Sequence, residues 1–525
     1  MSKTKIIGFL ITKEKQKIDI DFFKVGLTQF QIMHNDFYIY LWGIGDIKNY
    51  IINNKYSLSF PLHDNLLDRN ILISLEDKKI IVENDWLGSI PVFYNLEHKI
   101  VSTIPMFCSK TQDIDEEGFI NFCEFGYSVF EHTVFKDMKF MRYYSKLTIS
   151  NSQIIVENKE DPVLADSIFY KETSEKDVID LLQNYMSKIE NQLSGDIIIP
   201  TSGGYDSRLL NYLIQNKKRI KSFTYGISKD QGQSSEVVYA KKISEIYNTQ
   251  WQQIELTNFY KYIDEWFQLY GVSTHLHGMY HIEFYKKILK LCNCDDATFV
   301  SGIIGDAWAE YNKISDIKNV DDLIKLGYTH GVSINSKALK ISTNNKVKNK
   351  VFTEIGKFLN DDKLRTIFAM RTKIILISYL TQLPEYFGFP VWTPFLNFEN
   401  VRAMISLPDN IRKKRIWQKE FFKKNKLYLE GMNLQVEKSN NLDYIMMMKN
   451  DFENLDIEKL SKYVNSDQLK HINKTINNKK EKISIKNQLL SIPKIGGGLR
   501  LLGFSNTHLD ALHEYIILKA IEKAL

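Results

Sequence analysis

Ile197-Ile-Ile-Pro-Thr-Ser-Gly-Gly-Tyr-Asp-Ser-Arg208 is the stretch on which the reading of this chain turns. Asp196–Pro200 has the length and β-branched content of a buried strand. A polar turn with two glycines follows, and then a helix is expected over Asp206–Gln215. A strand at Arg219–Tyr225, a helix at Ser235–Tyr247 and a strand at Trp251–Leu256 continue the alternation. That order predicts a parallel sheet with helices on its faces. Gly203 and Gly204 permit unusual backbone angles and let the main chain approach a ligand closely. Successive N–H groups at the positive end of a helix form a nest for an anion, and Ser202 and Ser207 add hydroxyls on either side. Asp206 would repel a bare phosphate, so its place beside the nest points to Mg²⁺ shared between carboxylate and phosphate oxygens. The Gly-Lys-[Ser/Thr] ending of a Walker A loop is missing.

Just upstream, Ser174 and Asp177 read as a capping box. Val178, Leu181, Leu182, Tyr185, Met186, Ile189 and Leu193 then recur at helical spacing. From residue 1 to about 160 the pattern is different. Short apolar runs (Lys5–Leu10, Phe37–Trp42, Ile71–Leu75, Lys79–Val82, Val92–Tyr94) and one helix at Glu116–Phe125 predict a β-rich domain. Beyond about residue 310 the chain reads as mostly helical with Lys/Asn-rich connections, and Asn473–Lys486 is expected to be a solvated loop.

The 525 residues are 44% hydrophobic and 25% charged, as in ordinary globular proteins. A net charge of +6 does not call for nucleic acid, whose binding needs clustered charge. Cys108, Cys123, Cys292 and Cys294 are too few for a disulfide framework, and Cys292-Asn-Cys294 is tighter than the usual zinc pair. No apolar run is long enough for a transmembrane helix, and no cleavage site follows the first residues. The expectation is a soluble cytoplasmic protein that meets neither membrane nor nucleic acid.

Ser202-Gly-Gly-Tyr-Asp-Ser207 resembles the Ser-Gly-Gly-x-Asp-Ser pyrophosphate loop of the ATP pyrophosphatases. Four further blocks resemble asparagine synthetase and its kin, including β-lactam synthetase and the lasso-peptide cyclases. They are Asn84-Asp-Trp-Leu-Gly-Ser-Ile-Pro-Val-Phe-Tyr94, Phe223-Thr-Tyr-Gly226 with Glu236 and Ala240, Phe299-Val-Ser-Gly-Ile-Ile-Gly-Asp306, and Thr393-Pro-Phe-Leu-Asn397 before Leu407-Pro408. The resemblance implies an α/β protein of two domains. Residues 1–160 would be an Ntn-hydrolase-like β-sandwich remnant of a glutamine amidotransferase domain (α+β). Residues 161–525 would be a doubly wound parallel-sheet ATP-pyrophosphatase domain with a helical extension. It also implies that Ser202, Gly203, Gly204 and Ser207 hold the pyrophosphate of ATP, and that Asp206 and Asp306 hold Mg²⁺. Thr224, Tyr225 and Gly226 would border the adenine, with Glu236 on the same side and Ser301 and Gly302 in a second phosphate-side loop. The family's charge-stabilising lysine falls on Lys438, with Lys419 as the second choice.

The departures from that pattern matter as much. Glutamine-dependent relatives begin with a cysteine exposed by removal of Met1; here Ser2 and Lys3 follow Met1, and Cys108 and Cys123 lie inside the chain. The N-terminal domain is therefore expected to lack glutaminase activity. Ile303-Ile304 stands where relatives carry Glu or Tyr, and isoleucine is no base, so His277 and Glu310 become the candidate acceptor-side bases. Arg208 replaces a small residue and either reaches a carboxylate or phosphate or lies exposed on the first helical turn. His275, His277 and His281 lack a carboxylate pattern that would support zinc, which leaves substrate contact or packing. The function expected is an ATP-dependent, AMP-forming amide ligase joining a small-molecule or sugar carboxylate to an amine or ammonia. Lactam or macrolactam closure and a silent nucleotide-binding scaffold are the alternatives. Homodimer formation stays open.

Overall fold

The structure is a computed structural model, and it describes residues 4–18, 26–165, 168–169, 171–292, 296–310, 314–327, 332–342, 344–478, 489–490 and 506–525. Ser2, Lys3 and Cys294, and with them the opening residues and the Cys-Asn-Cys reading, lie outside the described residues.

Eleven strands come first among the described residues: β1 (Lys5–Thr12), β2 (Leu27–His34), β3 (Phe37–Ile44), β4 (Lys55–Ser57), β5 (Ile71–Glu76), β6 (Lys79–Asn84), β7 (Phe93–Asn95), β8 (Ile100–Ser102), β9 (Lys139–Phe140), β10 (Ser145–Ile149) and β11 (Ile154–Asn158). They form a sheet in the order β2-β3-β1-β8-β7-β9 and another in the order β11-β10-β6-β5-β4. Ile6, Phe9 and Ile11 of β1 share a core with Ile71, Ile73, Val82 and Leu147 of the second sheet, so the two stack face to face. Every residue of β1 is buried because its other face is covered too. A β-bulge between Ile6 and Gly8 shifts the alternation by one. Ile7 and Leu10 thereby join Tyr40 and Trp42 in a different core, against Phe119 and Phe122 of α1 (Glu116–Phe125).

A third, parallel sheet carries β12 (Asp196–Pro200), β13 (Ile220–Thr224), β14 (Gln250–Gln253), β15 (Ala297–Val300) and β16 (Val391–Trp392), in the order β14-β13-β12-β15-β16. Each pair in it is parallel. Ile197 and Ile199 of β12 pack with α2 (Glu175–Glu190) and α3 (Tyr205–Leu213), while Ile198 packs with α5 (Ile263–Tyr270) and α6 (Tyr280–Ile288) on the opposite face. Burial on both sides explains the unbroken apolar run of β12. The order runs outward from β12 in both directions, leaving a crevice between β12 and β15 at the carboxyl ends of the strands. The whole is a mixed α/β architecture.

The Ser174/Asp177 capping box forms as expected at the start of α2. The helix expected over Asp206–Gln215 begins one residue earlier and ends at Leu213, and the strand expected over Trp251–Leu256 is only Gln250–Gln253. The loop expected over Asn473–Lys486 is corrected in part. Residues 473–477 close a helix, Ser466–Asn477, because Leu469, Ile472 and Ile476 recur on one fully buried stripe. The rest of that stretch lies outside the described residues, apart from Asn478. Among the described residues no helix is long and apolar enough to cross a membrane.

Candidate functional site

The loop after β12 is anchored before it turns. Thr201 N donates to Phe223 O at 3.0 Å, and the Thr201 hydroxyl accepts from Asn211 Nδ2 at 3.1 Å. Gly203 then takes φ +70°, and a Cβ there would stand 2.3 Å from Tyr239 Cβ on α4 (Ser235–Tyr247). Only glycine fits both the left-handed angle and the approach of that helix. Gly204 N-caps α3 with no side-chain cap, while Ser202 and Gly204 remain exposed. Ser207 is committed to the fold, its hydroxyl donating to Gly204 O at 3.2 Å.

Arg208 takes the first of its two expectations, reaching a carboxylate, but that carboxylate belongs to the fold itself. Its guanidinium is fully buried and makes a bidentate pair with Glu430, at 3.0 and 3.1 Å. It also donates to Gly203 O at 2.7 Å and to Leu427 O at 3.0 Å. The rings of Tyr205 and Phe422 lie 5.0 and 5.1 Å from its central carbon. Arg208 thus ties the glycine turn to the loop around residue 430 and presents no free fork to a ligand.

The second loop, Ser301–Asp306, leaves β15 and meets the first through its glycines. A Cβ on Gly302 would lie 3.5 Å from Asp206 Cβ, and one on Gly305 2.8 Å from Asp206 Cγ. Ile304 takes φ +59° before the short helix α7 (Gly305–Ala309), a strained angle for a β-branched residue. Ile303 and Ile304 are buried with Trp308 and Phe395 and serve packing.

Asp206 and Asp306 converge on one cation that sequence reasoning missed. Arg415 holds its two terminal nitrogens 3.9 Å from Asp206 Oδ1 and 3.8 Å from Asp306 Oδ2, and its Nε 3.1 Å from Glu310 Oε2. Burial, and after it the charge of Asp306, push the Asp206 carboxyl up to about 7; the Arg415 charge acts against them. Asp206 Oδ1 is buried without a hydrogen bond. Lys373 responds to the same centre: burial lowers it, and the Asp306 charge opposes that.

A cleft of about 550 Å³ opens over these loops. Of the sequence candidates, Ser202, Gly203, Gly204, Glu236, Glu310 and Lys419 line it, joined by Tyr205, Tyr239, Lys414, Arg415 and Glu430. The basic run Arg412-Lys-Lys-Arg415 after Leu407-Pro408 was the visible signal for the two newcomers that carry positive charge. Other candidates stand apart. Lys438 is exposed in a segment that pairs with Ser234, where Ser235 N donates to Glu437 O at 3.0 Å, and it does not line the cleft. Thr224 accepts from Trp251 Nε1 at 3.1 Å, and Tyr225 Oη lies 3.3 Å from His281 Nε2. Gly226 is pressed by the following turn, where a Cβ would meet Gln231 O at 2.2 Å. Ser301 Oγ accepts from Ile303 N at 3.2 Å.

His277 Nε2 lies 2.7 Å from Asp443 Oδ2, outside the cleft lining. Burial works against its charge, but Asp443 prevails and raises it. Burial pushes His281 down to about 3. Among the described residues no group of three or more His, Cys, Asp or Glu is placed to hold a metal. Cys108 and Cys123 are buried, and burial pushes both thiols up, away from thiolate chemistry.

No family model matches this chain. No curated protein matches it either. Among solved structures, the NH3-dependent NAD synthetase from Campylobacter jejuni subsp. jejuni NCTC 11168, in complex with the nitrate ion, is 12% identical over 38% of this chain and 93% of that one. With a TM-score of 0.22 it is a likeness too slight to bear on what this protein does.

Proposed function

We propose that this protein is an ATP-dependent carbon–nitrogen ligase that forms AMP and pyrophosphate, adenylating a carboxylate and passing the acyl group to an amine or ammonia. The observation that carries this reading is the meeting of two loops at the carboxyl end of a parallel sheet. One supplies a glycine nest at a helix N-terminus, and each supplies one aspartate to a shared cation position. The likeness of Ser202–Ser207 to the pyrophosphate loop of the ATP pyrophosphatases gives that geometry its chemistry.

The donor set fits Mg²⁺. Two carboxylates from separate loops stand within about 4 Å of one cationic group, and Asp206 Oδ1 is buried without a hydrogen bond. When bound there, the ion would neutralise phosphate charge as the bond between the α- and β-phosphates breaks. The chain does the rest. The backbone N–H of Gly203, and that of Gly204, which otherwise donates to Ser202 Oγ at 3.3 Å, hold pyrophosphate oxygens, and Lys414 and Lys419 bring positive charge to the cleft wall. A carboxylate oxygen attacks the α-phosphorus, pyrophosphate leaves, and the amine then attacks the acyl carbon and expels AMP. The role of charge-stabilising lysine suits Lys419, in the cleft, better than Lys438. Of the two candidate bases, Glu310 lines the cleft and can take the proton that the amine loses; His277 is engaged by Asp443.

The same reading makes the first 160 residues a domain of their own, an Ntn-hydrolase-like sandwich without glutaminase activity. Its two stacked antiparallel sheets and its buried, inert cysteines support that view. One observation favours a silent nucleotide binder instead: Arg415 fills the space between the aspartates. The deciding experiment incubates the protein with ATP, Mg²⁺, pools of carboxylic acids and hydroxylamine, then measures hydroxamate, AMP and pyrophosphate. Acid-dependent hydroxamate with AMP, abolished by Asp206→Ala, is the expected result. ADP as product overturns the reading, and ATP consumption no different in Asp206→Ala would leave only the silent binder.

A further inference from the structure

Arg415 stands where two like charges need a partner. Asp206 and Asp306 belong to different loops, and carboxylates drawn together repel unless a cation lies between them. The contact with Glu310, at 3.1 Å, is a hydrogen bond; the approaches to Asp206 and Asp306, at 3.9 and 3.8 Å, are too long to be one. The guanidinium is therefore tethered by Glu310, lies 5.6 Å from the centre of the Tyr205 ring, and is held by charge alone at the two aspartates. Its backbone is strained as well. Lys414 and Arg415 take φ +53° and +54° in succession, left-handed angles that disfavour both side chains. The side chain is 20% exposed and borders the cleft that Lys414 and Lys419 also line. An anion entering that cleft would compete with the aspartates for Arg415.

We propose that Arg415 is a built-in counter-cation that keeps a divalent ion off Asp206 and Asp306 until an anionic nucleotide draws its guanidinium into the cleft. Metal and nucleotide then bind together, and the metal does not bind first. This rests on the reading of the cleft as a site for a nucleotide with a divalent ion. The physics is mutual exclusion: a guanidinium and a divalent cation cannot share the same two carboxylates at short range. The nucleotide's phosphates favour the ion at the aspartates and the guanidinium elsewhere, so the two ligands help each other by the same factor.

The test counts free Mn²⁺ by electron paramagnetic resonance, with the full chain, in the presence and absence of α,β-methylene-ATP, after subtracting the ion that the same concentration of analogue chelates without protein. Wild type is expected to bind Mn²⁺ weakly alone and at least tenfold more tightly with the analogue. Arg415→Gln is expected to bind Mn²⁺ alone at least tenfold more tightly than wild type, with the coupling to the analogue reduced. Adding Asp306→Asn to that variant should return Mn²⁺ affinity to the wild-type value, which assigns the gain to the aspartates. Arg415→Lys keeps the charge on a smaller head and should fall between, and it carries the test if the glutamine variant fails to fold. Tight Mn²⁺ binding by wild type alone overturns the proposal. So does an Arg415→Gln variant that binds Mn²⁺ no more tightly than wild type while the analogue still recruits the ion, a result that leaves the ligase reading standing. Absence of Mn²⁺ binding in both proteins even with the analogue removes the nucleotide site and this proposal together.

Discussion

Replacing Arg208 by methionine cuts the tie between the glycine turn and the loop around residue 430. Methionine keeps length and apolar packing against Tyr205 and Phe422, so the loss is polar. Removing one partner of a buried ion pair costs about 3–5 kcal/mol. Glu430 is 29% exposed, however, and its stranded carboxylate can take up water, which brings that share down to about 2 kcal/mol. The carbonyls of Gly203 and Leu427 lose one donor each, adding about 0.5–1 kcal/mol apiece. Arg208→Met should therefore lower stability by about 3–4 kcal/mol, read from urea unfolding followed by tryptophan fluorescence. The second readout is ATP affinity. A Gly203 carbonyl no longer held can rotate, and rotation turns the neighbouring N–H groups out of the nest, so ATP binding should weaken at least tenfold by calorimetry. Arg208→Lys separates the two effects, because a single ammonium can keep Glu430 but cannot also reach Gly203. It should recover part of the stability and little of the affinity. A loss below about 1 kcal/mol together with unchanged ATP affinity would refute the clamp.

Gly203→Ala should abolish pyrophosphate binding in calorimetry, since the left-handed angle costs about 1–2 kcal/mol and displacing Tyr239 about 1–3 kcal/mol more. Gly204→Ala, at φ −64° with only Ser202 Oγ at 3.2 Å, should be tolerated; equal behaviour of the two variants would be fatal to the nest geometry. Asp443 raises His277, against the opposing effect of burial. The stability their pair contributes is thus fully present below the ordinary histidine value of about 6.5 and fades as pH rises through the raised one. The melting-point gap between wild type and His277→Gln should accordingly close toward alkaline pH, and a gap constant from pH 5 to 9 would exclude the ion pair. Burial brings Lys5 down to about 8, and Glu385 keeps its bidentate partner Arg69 at 2.9 and 3.0 Å. Lys5→Met should then cost no more than about 1 kcal/mol at pH 7, where Arg69→Met costs about 3–5 kcal/mol. Because a lysine depressed on folding adds stability as pH rises through its folded value, wild type should gain on Lys5→Met above pH 8; urea midpoints across pH 7 to 10 check both statements.

What could be read from the chain follows the range of the forces involved. The parallel sheet was legible because burial on both faces leaves β12 a continuous apolar run, and α2 before it carries its own capping box and helical period. The edge strand β2 went unread, since one of its faces meets water and its residues alternate with Thr and Gln. The bulge in β1 could not be seen at all, because Ile6 through Ile11 is apolar on both faces apart from Gly8. In the site, the glycines and aspartates declare themselves through local turn chemistry. Arg208 did not, since its partners Leu427 and Glu430 lie more than 200 positions away, with separations of 219 and 222. The same holds for Arg415, one among many basic residues in a Lys-rich region until the fold brings Asp206 and Asp306 to it. Lys438 and Lys419 show the limit most plainly, being equal as charges in the sequence and separated only by which of them lines the cleft.

The bond between Arg208 and Glu430 also sets a timetable. The two residues are 222 positions apart, so a ribosome working at about 5–20 residues per second makes the glycine turn roughly 10–45 s before its anchor exists. During that interval the emerging sheet carries an unpaired guanidinium that the finished protein buries completely. A chain cut short before residue 430 should therefore be a client for chaperones and proteases rather than a smaller stable protein.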